Sequence, residues 1–258
     1  MSSKKSIVSL AKKTIAIESL AISQLAEFID DTFAEAVELI LNSNGRVIIT
    51  GIGKSAIIAN KIVATLNSTG TPSVFMHAAD AIHGDLGLIL KDDIVICISK
   101  SGNTPEIKVL IPLLKNSGNA LIAITGNMKS MLAEQSDYVF NSYVEKEACP
   151  NNLAPTTSTT AQLVIGDALA VCLLELRGFS SDDFAKYHPG GALGKKLFLR
   201  VRDILALTEK PEVSPDASIK KVIIEISEKT SFYKPNLSFM NPRVPSQAHK
   251  EVNYTQVG

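Results

Sequence analysis

The sequence is short of cysteine, of net charge and of long apolar runs, and each shortage removes a class of protein. Its three cysteines, Cys97, Cys149 and Cys172, are odd in number and fall in an expected strand, a loop and a helix. That scatter argues against a disulfide framework or a structural zinc site and fits a reducing compartment. The 26 basic side chains balance 26 acidic ones, so the formal net charge is zero. Neither nucleic acid nor an anionic membrane surface is expected as a partner, and zero net charge favours self-association. Met1 to Lys13 opens basic, but no signal-peptide apolar core follows, and nowhere do about 18 apolar residues run together. The expectation is a cytoplasmic chain, neither secreted nor membrane-spanning.

What is present is a core-builder: 258 residues, 45% of them hydrophobic, enough for one full domain and a remainder. Apolar residues recur at helical spacing from Ile15 to Leu41, which predicts one long helix over Thr14 to Leu41, with a break near Asp30. Five short β-branched or aromatic runs follow, at 47–50, 73–76, 94–98, 121–125 and 138–140, alternating with helical stretches. That alternation predicts an α/β fold, a doubly wound five-stranded parallel sheet of flavodoxin-like order 2-1-3-4-5 flanked by helices. Ala161 to Leu176 reads as a strongly apolar helix ended by Gly178, and Tyr187 to Gly191 as a glycine-rich turn. The main domain is expected over 1–200. In the remainder, 201–258, Val201 to Ser227 suits a small strand and helix, and Glu228 to Gly258 a loosely ordered tail.

Chemistry is concentrated in two loops. Ser99 to Glu106 follows an apolar strand and opens a helix. Ser99, Ser101 and Thr104 supply hydroxyls there, Gly102 permits close backbone approach, and Pro105 suits a helix's first turn. Gly51 to Ser55, with Gly53 and Lys54, repeats the device after the first strand. The loops after strands 1 and 3 part at the switch point of a 2-1-3-4-5 sheet, so both face one ligand, and their chemistry suits a phosphate. Similar residues also crowd turns that bind nothing. A P-loop is excluded, because Ile48 stands where that motif needs glycine. The loose dinucleotide pattern of Gly51, Gly53 and Ala56 stays open, although Met76-His77 replaces the acid expected after strand 2.

Together Gly51–Ser55, His83–Gly87, Ser99–Glu106, Glu147–Pro150, Leu153–Thr160 and His188–Gly191 resemble the sugar isomerase (SIS) domain of arabinose 5-phosphate isomerases, over roughly residues 5 to 225. The resemblance implies interconversion of ribulose 5-phosphate and arabinose 5-phosphate in a cytoplasmic homotetramer that feeds Kdo synthesis for lipopolysaccharide or capsule. Matched by motif, Lys54, Glu106, Glu147 and His188 are the functional set, while Gly53, Ser55, His77, His83, Ser99, Ser101, Gly102, Asn103 and Thr104 surround a pentose phosphate. No metal or organic cofactor is needed in principle, and His77, His83 and Asp85 lack the spacing of a metal site. Pathway logic adds inhibition by Kdo or CMP-Kdo. The alternatives are a phosphosugar-binding regulator, whose DNA-binding helix-turn-helix has no room before strand 1, and an isomerase of another sugar phosphate. Val201 to Leu205 and Pro211 to Ser227 resemble the start of a CBS module, but the following residues do not complete a pair.

Overall fold

The computed structural model describes residues 4–191, 194 and 212–229. The chain divides into two compact units, 1–197 and 198–258. The first is built on five parallel strands: β1 (Val47–Gly51), β2 (Ser73–His77), β3 (Ile94–Ile98), β4 (Leu121–Thr125) and β5 (Tyr138–Asn141), in the order β2-β1-β3-β4-β5. β1, β3 and β4 are buried along their whole length, which is why they read as unbroken apolar runs.

Period-two alternation sends the strands' side chains into two cores. Ile49, Ile96, Ile98, Ile122 and Ile124 face one side, against α1 (Lys4–Leu25), α2 (Asp31–Asn42), α3 (Lys54–Ser68) and α7 (Thr157–Leu176). Ile48, Val95, Cys97, Leu121 and Ala123 face the other, with α4 (Ala78–Ala81), α5 (Pro105–Ser117) and α6 (Met131–Gln135). Burial pushes the Cys97 thiol up to about 12, so it is a packing residue without thiolate chemistry.

Two helix boundaries differ from the sequence expectation. The expected break near Asp30 is present, dividing the stretch into two helices joined by a short 3₁₀ turn at 26–28. The first begins at Lys4, ten residues earlier than its periodicity suggested, and the second is capped by the Asp30 carboxylate, which accepts the Phe33 N–H at 3.3 Å. The helix expected from Ala161 starts at Thr157, for a reason that belongs to the site below. α7 is the one helix among the described residues long and apolar enough to cross a membrane. Here it packs on α1, α2 and α3 with Ala161, Ile165, Leu169 and Leu173 buried. Gly166 permits the α3 contact, since a Cβ there would stand 2.3 Å from the Ile62 Cδ1.

A further short helix, α8 (Ser181–Tyr187), has a reciprocal capping box between Ser180 and Asp183 and ends at His188. The second unit is described only through 212–229, where α9 (Ile219–Lys229) leaves Ile219, Ile223 and Ile224 exposed. Of the expected CBS-like start, Val201 to Leu205 and Pro211 lie outside the described residues, as does the expected loose tail from 230 onwards, while Glu228 and Lys229 end α9.

Candidate active site

Where the loops after β1 and β3 part, a cavity of about 380 Å³ opens, lined by Ile52, Lys54, Ser55, Ile98–Ser101 and Thr104, and closed by Pro155, Ser158, Thr159 and Gln162. Three helices begin on it: α3 at Lys54, α5 at Pro105 after Thr104, and α7 at Thr157. The free first-turn N–H groups and dipoles of α3 and α5 make the cavity attractive to an anion, and Lys54 reinforces this, whereas the start of α7 is already occupied by a carboxylate. A larger hollow of about 660 Å³ lies at the other end of the strands, where α2 and α5 end and Glu35, Glu38 and Asp92 gather. Helix C-termini and carboxylates make that hollow hostile to an anion.

The β3 loop is held rigidly from behind. Gly102 has φ +63°, and a Cβ there would meet the Ser130 Oγ at 2.1 Å, so only glycine fits. Its N–H donates to the Ser99 Oγ at 3.1 Å, the Asn103 side chain accepts the Met131 N–H at 3.1 Å, and Gly126 N–H fixes the Lys100 carbonyl at 3.0 Å. These bonds leave hydrogen-bonding capacity on the Ser99 and Ser101 hydroxyls, and the buried Thr104 hydroxyl has no partner. Gln162, 1% exposed, accepts from the Ser55 Oγ at 3.2 Å and keeps an unpartnered amide nitrogen.

Behind the cavity sits Glu147, its side chain fully buried. One carboxylate oxygen accepts from Lys100 Nζ at 2.5 Å and from Ser158 Oγ at 2.5 Å. The other accepts the N–H groups of Thr156 at 2.8 Å and Ser158 at 3.1 Å and the Thr156 hydroxyl at 3.2 Å. Burial opposes the charge, but Lys100, the Ser158 hydroxyl and the two backbone donors outweigh it and hold the carboxyl down at about 2. Glu147 thus caps α7 from ten residues upstream, and this cap starts the helix at Thr157.

The structure brings Lys54, Ser55, Ser99, Ser101 and Thr104 together on the cavity wall. Gly53 stands at the N-cap of α3, and Gly102 and Asn103 shape the β3 loop from behind. Glu106, half-buried, occupies the first turn of α5. His77 ends β2, with its Nδ1 3.8 Å from Asp80 Oδ2, and His83 is exposed, so neither lines the cavity. Nor does His188, whose ring stacks on Phe184 at 3.9 Å and whose Nδ1 lies 2.9 Å from the Phe184 carbonyl. Sequence reasoning missed Lys100, Ser158, Thr159 and Gln162 as lining residues. Lys100 was visible between two chosen serines, whereas the others face the cavity only because α7 starts there.

Among known proteins, residues 39–172 match the model of the SIS domain. The arabinose 5-phosphate isomerase KdsD of Pseudomonas aeruginosa is 48% identical over 230 residues, 89% of this chain and 71% of that protein. Its namesake from Francisella tularensis is 50% identical over 223 residues, 85% of this chain and 68% of that protein. A solved Escherichia coli CFT073 protein in complex with arabinose 5-phosphate superposes with a TM-score of 0.71 at 42% identity, over 73% of this chain and 100% of the other. The parallel sheet, its switch-point cavity and these likenesses agree: the chain belongs to the SIS-domain family, in its arabinose 5-phosphate isomerase branch.

Proposed function

We propose that this chain interconverts arabinose 5-phosphate and ribulose 5-phosphate, with the sugar's phosphate seated among the N-termini of α3, α5 and α7. The observation that carries the reading is the convergence of three helix starts, the hydroxyls of Ser55, Ser99, Ser101 and Thr104, and Lys54 on one cavity. An aldose-ketose isomerase moves a proton between C1 and C2 through an enediolate, which needs a positioned acid/base and a cation for the developing oxyanion. In this reading Lys54 is the cation, and His188 and Glu106 move the proton. Glu147 is bound on both oxygens and contributes by holding its donors.

His188 lies away from the cavity of its own chain, so a second copy supplies it in this reading, within a homotetramer. The formal net charge of zero favours such self-association. Residues 1–200 carry the chemistry in the cytoplasm, and the product feeds Kdo synthesis, with Kdo or CMP-Kdo as the expected inhibitor. An inhibition constant above millimolar for both compounds would remove that last element. The activity itself is tested by assaying purified protein against pentose, hexose and heptose phosphates. Turnover of arabinose 5-phosphate well above the rest is expected, and preference for a hexose or heptose phosphate, or binding without turnover, overturns the reading.

A further inference from the structure

The cavity holds a second cation whose use the isomerase reading does not specify. Lys100 stands between Ser99 and Ser101, its side chain 48% exposed on the cavity wall. Its main chain is fixed by the Gly126 N–H, and its ammonium is drawn to a carboxylate with no exposure at all. An ammonium carries three donors, and this one spends a single bond on Glu147, so two N–H bonds remain for the cavity. Glu147, in contrast, has nothing left to offer. Two donors sit on one oxygen and three on the other, an arrangement that suits an anchor and leaves no free lone pair for a substrate proton.

We infer that Lys100 is a substrate-contacting residue that binds the phosphate group beside Ser99 and Ser101, and that Glu147 is the positioning residue that aims it. The inference rests on the sugar phosphate reading. A lysine on a four-carbon stem spends rotamer entropy when it settles on an anion, and Glu147 restricts Lys100 before the ligand arrives. The buried carboxylate is itself fixed by the start of α7, so the cation's position follows the fold and not the ligand. An ion pair serving stability alone would have no need to stand on the wall of the anion-attracting cavity.

The test measures inorganic phosphate binding by calorimetry, alongside KM and kcat for arabinose 5-phosphate. Lys100→Met should weaken phosphate binding and raise KM by about tenfold or more, the loss expected for one charged hydrogen bond, with kcat changed less than about threefold. Lys100→Arg should restore most of the affinity. Glu147→Gln should shift KM in the same direction, and the double variant Lys100→Met/Glu147→Gln should be no worse in KM than Lys100→Met alone. The double variant also leaves no unpaired buried carboxylate, so it keeps the test alive should Lys100→Met fold poorly. If Lys100→Met, or the double variant in its place, binds phosphate like the wild type, the pair is structural only and the inference fails. If the wild type itself binds neither phosphate nor arabinose 5-phosphate, the sugar phosphate reading falls, and this inference with it.

Discussion

Glu147→Gln should remove a pH-dependent contribution to stability, leaving a deficit against the wild type that is large near neutrality and small in acid. The carboxyl is held at about 2, against 4.5 for the free group. A carboxyl whose folded value lies below its unfolded one stabilises the fold above pH 4.5, and that contribution drains away as the pH falls towards 2. At about 1.36 kcal/mol per pH unit, the difference amounts to about 3 kcal/mol near neutrality, of which about 2 kcal/mol is lost by about pH 3. The bonding is of the same order: glutamine keeps one acceptor oxygen for α7 and turns an NH₂ towards Lys100 Nζ and Ser158 Oγ, which need acceptors. Urea unfolding of both proteins at about pH 7 and about pH 3 is the assay. The variant should be about 3 kcal/mol less stable near neutrality, and the gap should narrow to about 1 kcal/mol in acid. A gap that stays constant with pH would refute the claim that the ionised carboxylate is the stabilising species.

Ser101→Ala and Thr104→Val should each raise KM by the equivalent of about 1 to 3 kcal/mol and leave kcat nearly untouched, because the phosphate is held alike in ground and transition states. Normal KM with lost kcat would contradict the phosphate assignment. Gly102→Ala should cost about 2 kcal/mol or more of stability in urea, since φ +63° and the approach of Ser130 Oγ both oppose a Cβ; an unchanged midpoint would show that the loop relaxes freely. His188→Ala should lower kcat by roughly 10² to 10⁴. If His188 serves a neighbouring copy, mixing His188→Ala chains with Lys54→Ala chains regains activity, and a mixture that stays inactive argues against the shared site.

The sheet was legible because its three central strands, β1, β3 and β4, are buried on both faces: runs such as Ile94–Ile98 need no partner information to be recognised. The break at Asp30 was legible for the same local reason, a capping side chain three residues from the N–H it accepts. The start of α1 was not, because Ile7, Val8 and Leu10 are more than half exposed and carry no clean one-sided pattern. The start of α7 was hidden because its cap arrives from Glu147, which no local capping pattern reveals. The site shows the same division. The serine loop and Lys54 follow strands and could be read in order, whereas the pairing of Lys100 with Glu147 spans 47 residues and exists only once β3 and α7 meet.

The most direct measurement is a crystal structure of the protein with arabinose 5-phosphate bound. The phosphate is expected at the β1/β3 switch point, within hydrogen-bonding distance of the Ser99, Ser101 or Thr104 hydroxyls and facing the first turns of α3, α5 and α7. A sugar phosphate bound anywhere else on the chain, or seated there with its phosphate turned away from the serine loop, would contradict that placement.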